Sequence, residues 1–178
     1  EYEIGFDNFR VSGEGLIGGE ENKGFKQLME TFESARIQTA ARAIGVAQSA
    51  LDVAMQYAID RKQFGAAIGN HQLVQAMLAD SRTEAYAARC MVENTARLKD
   101  AGRHVNEEAA CTKLFASEMV GRVADRAVQI HGGAGYMRDY AVERFYRDVR
   151  LFRIYEGTTQ IQQVVIARSM IRNAKRNR

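Results

Sequence analysis

Hydrophobic and polar positions divide the chain into a short opening segment with a strand period and several longer segments with a helix period. In residues 1–12, Tyr2, Ile4 and Phe6 alternate with polar or small residues, which predicts a strand. The glycine-rich stretch 13–24 predicts a loop. Beyond it, apolar residues recur at three- and four-residue spacings, which is typical of helices. The predicted helices cover about 24–61, 71–99, 105–131, 140–146 and 157–173.

The connections between these helices are short, with a loop at 60–70 and a turn at 100–103. Helices joined in this way pack as antiparallel neighbours, so we predict an all-α fold, an up-down four-helix bundle. The opening strand is left over. Because a lone strand cannot satisfy its own backbone, it must belong to a sheet missing from this chain or to another chain.

The composition supports long helices and argues against nucleic-acid binding, a membrane span and secretion. The 178 residues contain no proline, which long uninterrupted helices exclude. A net charge of +3, from 25 basic and 22 acidic residues, is too balanced to indicate nucleic-acid binding. No apolar run reaches membrane-spanning length and no signal-peptide pattern occurs, so we expect no membrane span and no secretion. Bacterial cytoplasm and mitochondrial matrix both fit. The chain begins with Glu rather than Met, and we expect it to be part of a longer one.

The stretch LFRIYEGTTQIQ, residues 151–162, carries the main chemical candidate. Glu156 follows an apolar-aromatic run and precedes Gly157 and Thr158, which are typical of a helix start. A carboxylate among apolar groups loses hydration, which disfavours its charged form and makes it a usable base. The alternative is an acid that is merely stabilised by the dipole at the helix N-terminus.

Two further stretches are candidates for ligand binding. In DRKQFG, Arg61 could bind a phosphate and Phe64 could stack on a flat heterocycle, although a helix C-terminus favours arginine in any case. In QIHGGAGY, an amide lies beside a glycine turn that a ligand could approach, although a plain helix C-cap explains the turn equally well.

A metal site is not expected. Di-iron bundles need Glu-x-x-His pairs, and none of the three histidines, His71, His104 and His131, belongs to one.

Together the three stretches DRKQFG, QIHGGAGY and IYEGTTQIQ, in this order and on these helices, resemble the C-terminal all-α domain of acyl-CoA dehydrogenases. The preceding EIGFDNFRVSGEGLIGGEENKGF resembles the end of that family's middle β-domain and its link into the first long helix. The resemblance covers nearly the whole chain. It implies two parts, residues 1–22 from the β-domain and linker, and residues 23–178 as the catalytic helical bundle.

The resemblance implies an FAD-dependent flavoprotein of fatty acid metabolism that converts an acyl-CoA thioester to the 2-enoyl-CoA. The base would be Glu156, with hydride transfer to the flavin N5. The backbone N–H of Glu156 would help to hold the thioester oxygen. Some members carry the base on the first long helix, in a stretch corresponding to ESAR. Here that position is Ala35, which favours Glu156, and Glu33 lies about 200° round the helix from it.

The resemblance also assigns the binding residues. Arg61 would contact the flavin pyrophosphate and Phe64 the adenine half, in the FAD of a neighbouring subunit. The other predicted contacts to the adenine end are Gln72, Gln129, Ile130, His131, Gly132 and Gly133, with no individual role for His131 because related chains vary there. Contacts to the FAD of the same subunit would be Thr158 and Gln160. The thioester and CoA contacts would be Glu33, Ser34, Ala35, Arg36 and Gly157.

The partners implied are acyl-CoA, a second copy of the chain in a homodimer or homotetramer, and electron-transfer flavoprotein as acceptor. Two alternatives remain open at this point. One is an acyl-CoA oxidase, which O₂ reoxidises quickly. The other is a non-catalytic helical oligomerisation module, because the chain alone would build only half of the site.

Overall fold

The computed structural model describes residues 2–176, which form five α-helices and one small β-hairpin. The elements in chain order are α1 (Gly24–Asp60), β1 (Lys62–Gln63), β2 (Ala66–Ala67), α2 (Gln72–Asp100), α3 (Asn106–His131), α4 (Ala141–Asp148) and α5 (Thr159–Arg176). Short 3₁₀ turns cover Gly13–Gly15, Ile68–Asn70, Gly132–Tyr136 and Val149–Arg153. The predicted all-α class and all five predicted helices are confirmed, and most helix ends lie within about three residues of the prediction.

Helix α3 lies at the centre of the bundle and packs against α1, α2, α4 and α5. Its most extensive contact is with α1. Many of the side chains buried between these helices are alanines, including Ala43, Ala47, Ala54, Ala116 and Ala124. Because alanine is small, the two helix axes can approach closely, and little room is left for a ligand between them. The close contact of α1 and α3 therefore leaves no room for a site between these two helices.

The strand predicted for residues 1–12 is wrong over the part that the structure describes. Residues 2–12 form no strand, and Tyr2, Ile4 and Phe6 are exposed. The physical reason is that a strand needs a hydrogen-bonded neighbour to satisfy its backbone N–H and C=O groups. Within residues 2–176 no strand pairs with this segment. Residue 1 lies outside the described residues.

The hairpin between α1 and α2 falls where the sequence predicted only a loop. Strands β1 and β2 pair antiparallel, with Lys62 opposite Ala67 and Gln63 opposite Ala66. The two residues at its tip, Phe64 and Gly65, have φ angles of 54° and 80°. Positive φ at both central residues is the requirement of a tight type I′ hairpin turn. The hairpin places Arg61 and Phe64 beyond the end of α1.

Within residues 2–176, no helix is both long enough and apolar enough to cross a membrane.

Candidate active site

Glu156 lies in a sharp turn between the last 3₁₀ segment and α5. We call residues 154–158 the Glu156 turn. Glu156 and Gly157 both have left-handed backbones, with φ angles of 53° and 86°, and Glu156 is half-buried. A left-handed backbone is uncommon for a residue other than glycine and costs on the order of 1–3 kcal/mol. Such a conformation persists only where the surroundings hold it in place.

Two buried side chains hold the Glu156 turn by its carbonyl groups. Nζ of Lys113, on α3, donates a hydrogen bond of 2.7 Å to the carbonyl oxygen of Gly157. Nε2 of Gln162, on α5, lies 3.0 Å from the same oxygen and 3.2 Å from the carbonyl oxygen of Glu156. Neither Lys113 nor Gln162 is exposed to solvent. We call this pair the carbonyl clamp.

Lys113 is a cation in the interior of the bundle. Burial lowers its pKa from 10.5 to about 8. Attraction to Glu156 opposes that shift, repulsion by Arg36 adds to it, and attraction to Glu118 opposes it. The Glu156 charge therefore acts on Lys113 across space, and Lys113 also donates a hydrogen bond to the turn that carries Glu156.

The start of α5 is tied to the turn and to α3. The hydroxyl of Thr158 accepts a hydrogen bond of 3.3 Å from the backbone N–H of Ile161, which caps the helix. The hydroxyl of Thr159 donates one of 2.8 Å to Glu118. Gln160 is exposed. Thr158 and Gln160 thus lie at a helix N-terminus as expected, and their contact with FAD stays a prediction.

Tyr155 forms an apolar wall beside Glu156. Its ring centroid lies 5.7 Å from that of Phe152. On its other side, the guanidinium carbon of Arg42 lies 5.4 Å from the ring centroid, a cation–π distance. Burial raises the pKa of Tyr155, so its hydroxyl stays protonated at neutral pH.

The ESAR segment of α1 lies near the same end of the bundle. Nη1 of Arg36 donates a hydrogen bond of 2.8 Å to Asn106, and burial lowers its pKa. One carboxylate oxygen of Glu33 accepts a 3.0 Å bond from the N–H of Val105, and the other pairs with Lys99. Ser34 and Ala35 are half-buried. Both oxygens of Glu33 therefore have partners within the chain.

A separate cleft of about 490 Å³ lies at the other end of α3. It brings Arg61 together with the predicted residues that follow the end of α3: Gln129, Ile130, His131, Gly132 and Gly133. Between Lys113 and His131, α3 rises by about 27 Å at 1.5 Å per residue. The Glu156 turn and this cleft are therefore two distinct places on one subunit.

His131 is part of the cleft wall. Its ring stacks on that of Tyr57, with centroids 4.1 Å apart, and meets the edge of Tyr140 at 5.6 Å. Nδ1 lies 2.8 Å from the carbonyl oxygen of Ala127. Since a carbonyl can only accept, Nδ1 carries the proton. Burial lowers the pKa of His131, so the ring is a neutral, fixed surface.

Two residues predicted to contact the adenine half of FAD, Phe64 and Gln72, do not line this cleft. Phe64, at the tip of the hairpin, is 94% exposed, and its ring meets the edge of His71 at 6.0 Å. Gln72 is exposed at the first residue of α2. Both side chains are exposed. Their role stays a prediction.

A larger groove of about 960 Å³, between α3 and α4, contains none of the predicted site residues. Four arginines line it, Arg138, Arg147, Arg150 and Arg153. No group of three or more His, Cys, Asp or Glu side chains within residues 2–176 is placed to hold a metal ion.

The sequence reasoning missed the carbonyl clamp. Lys113 lies four residues after Ala109 and three before Ala116, on a stripe of α3 that is otherwise apolar. A lysine at a core position was the available signal. The signal from Gln162 was weaker, because glutamine is common on exposed helix faces.

Comparisons with known proteins identify the family. The family model described as "Acyl-CoA dehydrogenase, C-terminal domain" matches residues 22–171. The chain is 52% identical to (2S)-methylsuccinyl-CoA dehydrogenase of Cereibacter sphaeroides, over 96% of this chain and 31% of that protein. It is 47% identical to subunit CarC of the caffeyl-CoA reductase-Etf complex of Acetobacterium woodii, over 86% of this chain and 41% of the relative.

Among solved structures, butyryl-CoA dehydrogenase of Megasphaera elsdenii superimposes with a TM-score of 0.84 at 40% identity. The match covers 86% of this chain and 40% of that structure. The chain thus spans less than half the length of these relatives. Because the family model matches most of the chain, the chain belongs to the acyl-CoA dehydrogenase family, and residues 22–171 correspond to that family's C-terminal domain.

Proposed function

We propose that this chain supplies the base for the α,β-dehydrogenation of an acyl-CoA thioester, and that the base is Glu156. One observation carries the proposal. Glu156 is a half-buried carboxylate on a left-handed turn, and the turn is held from below by two buried side chains. A carboxylate on a strained backbone that the surrounding structure holds in place is typical of a functional site.

The proposed chemistry begins with the thioester carbonyl. A hydrogen bond from the backbone N–H of Glu156 to the thioester oxygen draws electrons from the α carbon and makes its proton acidic. The carboxylate of Glu156 then removes that proton. The rings of Tyr155, next to Glu156 in the sequence, and of Phe152 lie 5.7 Å apart and form the apolar surroundings of the turn. By the same proposal, Gly157 and the segment Ser34, Ala35 and Arg36 of α1 contact the thioester and CoA.

Both carboxylate oxygens of Glu33 already have partners within the chain. We therefore propose that Glu33 supports the site and makes only a weak contact with the substrate. It holds the segment that carries Arg36 against the start of α3. In this proposal its effect on acyl-CoA binding passes through Arg36.

The residues of the cleft suit an FAD molecule. Arg61 offers a guanidinium to a pyrophosphate, Gln129 offers an amide, and a side chain added at Gly132 or Gly133 would meet no protein atom within 4 Å. Arg61 and the segment from Gln129 to Gly133 would hold the phosphate and adenine end. When bound, FAD supplies the acceptor for the hydride that leaves the β carbon.

The separation of the two sites supports a homo-oligomer. Since the cleft and the Glu156 turn lie about 27 Å apart along α3, we assign the cleft to the FAD of a neighbouring subunit. Apolar side chains on α5, including Ile161, Val164 and Met170, are exposed and are available for a subunit interface. We therefore propose a homodimer or a homotetramer. The compartment, bacterial cytoplasm or mitochondrial matrix, stays a prediction.

The electron partner we propose is electron-transfer flavoprotein, because the name of one relative includes an Etf complex. That relative is a reductase, and another is a dehydrogenase. The same carboxylate can serve both directions, since a group that removes the α proton in one direction returns it in the other. The net direction then depends on the electron partner.

The test is flavin bleaching by acyl-CoA in the FAD-loaded protein that contains this chain. We expect Glu156→Gln to abolish bleaching while FAD and acyl-CoA still bind. The matched control is Glu84→Gln, which removes a half-buried carboxylate that pairs with Arg122 and Arg126 away from both sites. Unchanged bleaching in Glu156→Gln would rule out this base. Fast reoxidation by O₂ would indicate an oxidase, and tight dimers without flavin would indicate an oligomerisation module.

A further inference from the structure

The carbonyl clamp holds the Glu156 turn with three hydrogen bonds from two buried side chains. A turn that only connected two helices would not require them. Gly157 has a positive φ, and a side chain added there would lie 2.7 Å from Nε2 of Gln162. The clamp therefore sits directly against the backbone, with no space between them. It holds two consecutive carbonyls, those of Glu156 and Gly157.

Burying a lysine in the core of a helical bundle costs free energy, because its ammonium group loses hydration. A methionine at position 113 would fill the same volume without bringing a charge out of water. The ammonium of Lys113 instead donates a charge-assisted hydrogen bond of 2.7 Å to the carbonyl of Gly157. The charged groups around it are Glu156 from the turn, Arg36 from α1 and Glu118 from α3.

We propose that Lys113 is a positioning residue for the dehydrogenation, which fixes the direction of the Glu156 carboxylate through the carbonyl of Gly157. Gln162 is its second arm, because its amide reaches the carbonyls of both turn residues. This proposal rests on the function proposed for Glu156. Loss of either arm lets the turn relax from its left-handed conformation, and the carboxylate moves away from the α proton.

The experiment measures flavin reduction by acyl-CoA in rapid mixing, with the FAD-loaded protein at saturating substrate. We expect Lys113→Met to slow reduction by about 100-fold, the usual cost of displacing a reacting group by about 1 Å. The dissociation constant of acyl-CoA should change less than about threefold, because neither clamp residue contacts the substrate. A purely structural role would alter stability and leave the reduction rate of the folded protein unchanged.

The matched control is Arg126→Met, which removes another cation from α3, one that pairs with Glu84 on α2. We expect it to reduce flavin at the wild-type rate. Gln162→Met is the second clamp variant and decides the question if Lys113→Met does not fold. We expect it to slow reduction as well.

Two results separate this proposal from the one on which it rests. If Glu156→Gln bleaches normally, the base assignment fails and the clamp has nothing to position. If Glu156→Gln is inactive but the folded clamp variants reduce flavin at the wild-type rate, the clamp proposal alone is overturned.

Discussion

The backbone N–H of Val105 donates a hydrogen bond of 3.0 Å to the carboxylate of Glu33, which lies 72 residues earlier in the chain. The second oxygen of that carboxylate pairs with Lys99 at the end of α2. Glu33 thus joins α1 to both sides of the connection between α2 and α3. This partly buried pair fixes the end of the bundle near which the Glu156 turn lies.

Glu33→Gln should lower the free energy of unfolding by about 2 kcal/mol, because it leaves the ammonium of Lys99 without its partner. The loss is smaller than for a fully buried pair, since Lys99 is 35% exposed and water screens it. Urea denaturation measures the change. The control is Glu93→Gln, which breaks an exposed pair with Arg97 and should cost less than about 0.5 kcal/mol. Equal losses in both variants would contradict the structural role of Glu33.

Arg61→Met should weaken FAD binding about tenfold to 100-fold, the loss expected when charge-assisted hydrogen bonds to a phosphate are removed. Arg82→Met, on the exposed face of α2, is the matched loss of an arginine outside the cleft. Titration of the apoprotein with FAD, followed by fluorescence, compares the two. If both variants bind FAD like the wild type, the cleft is not the cofactor site.

Two glycines after α3 should respond to alanine in opposite ways. A side chain at Gly135 would lie 2.7 Å from the carbonyl oxygen of Val128 and 2.8 Å from His131, whereas at Gly133 it would meet open space. Gly135→Ala should therefore lower the free energy of unfolding by about 1–3 kcal/mol. Gly133→Ala should leave stability unchanged and weaken FAD binding. A stable Gly135→Ala protein would show that the turn is looser than described.

The buried ammonium of Lys113 should make stability depend on pH in a defined direction. Its pKa is 10.5 when exposed and about 8 in the folded protein, so above pH 8 the unfolded chain holds this proton more tightly. The contribution of Lys113 to the free energy of unfolding is therefore lowest below pH 8 and increases as pH rises towards 10.5.

The comparison that isolates this effect is wild type against Lys113→Met at pH 7 and pH 9.5. Burial also raises the pKa values of Cys111 and Tyr155, but both groups are present in both proteins and cancel in the difference. Relative to the variant, the wild type should gain stability at the higher pH. A difference that does not vary with pH would mean that Lys113 is not a desolvated cation.

The helices were predictable because their signal is local. The spacing of apolar residues along α1 and α3 directly reflects the buried stripe of each helix, and the glycine pair after His131 marks the end of α3. The strand at residues 2–12 failed for the opposite reason. Its alternating pattern is real, but a strand is completed by a hydrogen-bonded neighbour, and none pairs with it within residues 2–176.

The site was predictable only in part. Glu156 and Arg61 lie in stretches whose residue types already indicate chemistry. Lys113, in contrast, lies 43 positions before Glu156 and becomes part of the site only when the turn folds over α3. Local patterns do not contain that contact, so the carbonyl clamp could be found only in three dimensions. The same holds for the partners of Glu33.

If Glu156 removes the α proton, the protein must also exchange that proton with the solvent. An acyl-CoA analogue without hydrogen on its β carbon cannot pass on a hydride, so exchange in D₂O isolates the step that Glu156 performs. Mass spectrometry then follows deuterium entering the analogue on the FAD-loaded protein. Wild type and Glu84→Gln should exchange, and Glu156→Gln should exchange at least about 100-fold more slowly while binding the analogue equally well. Exchange at the wild-type rate in Glu156→Gln would contradict the account.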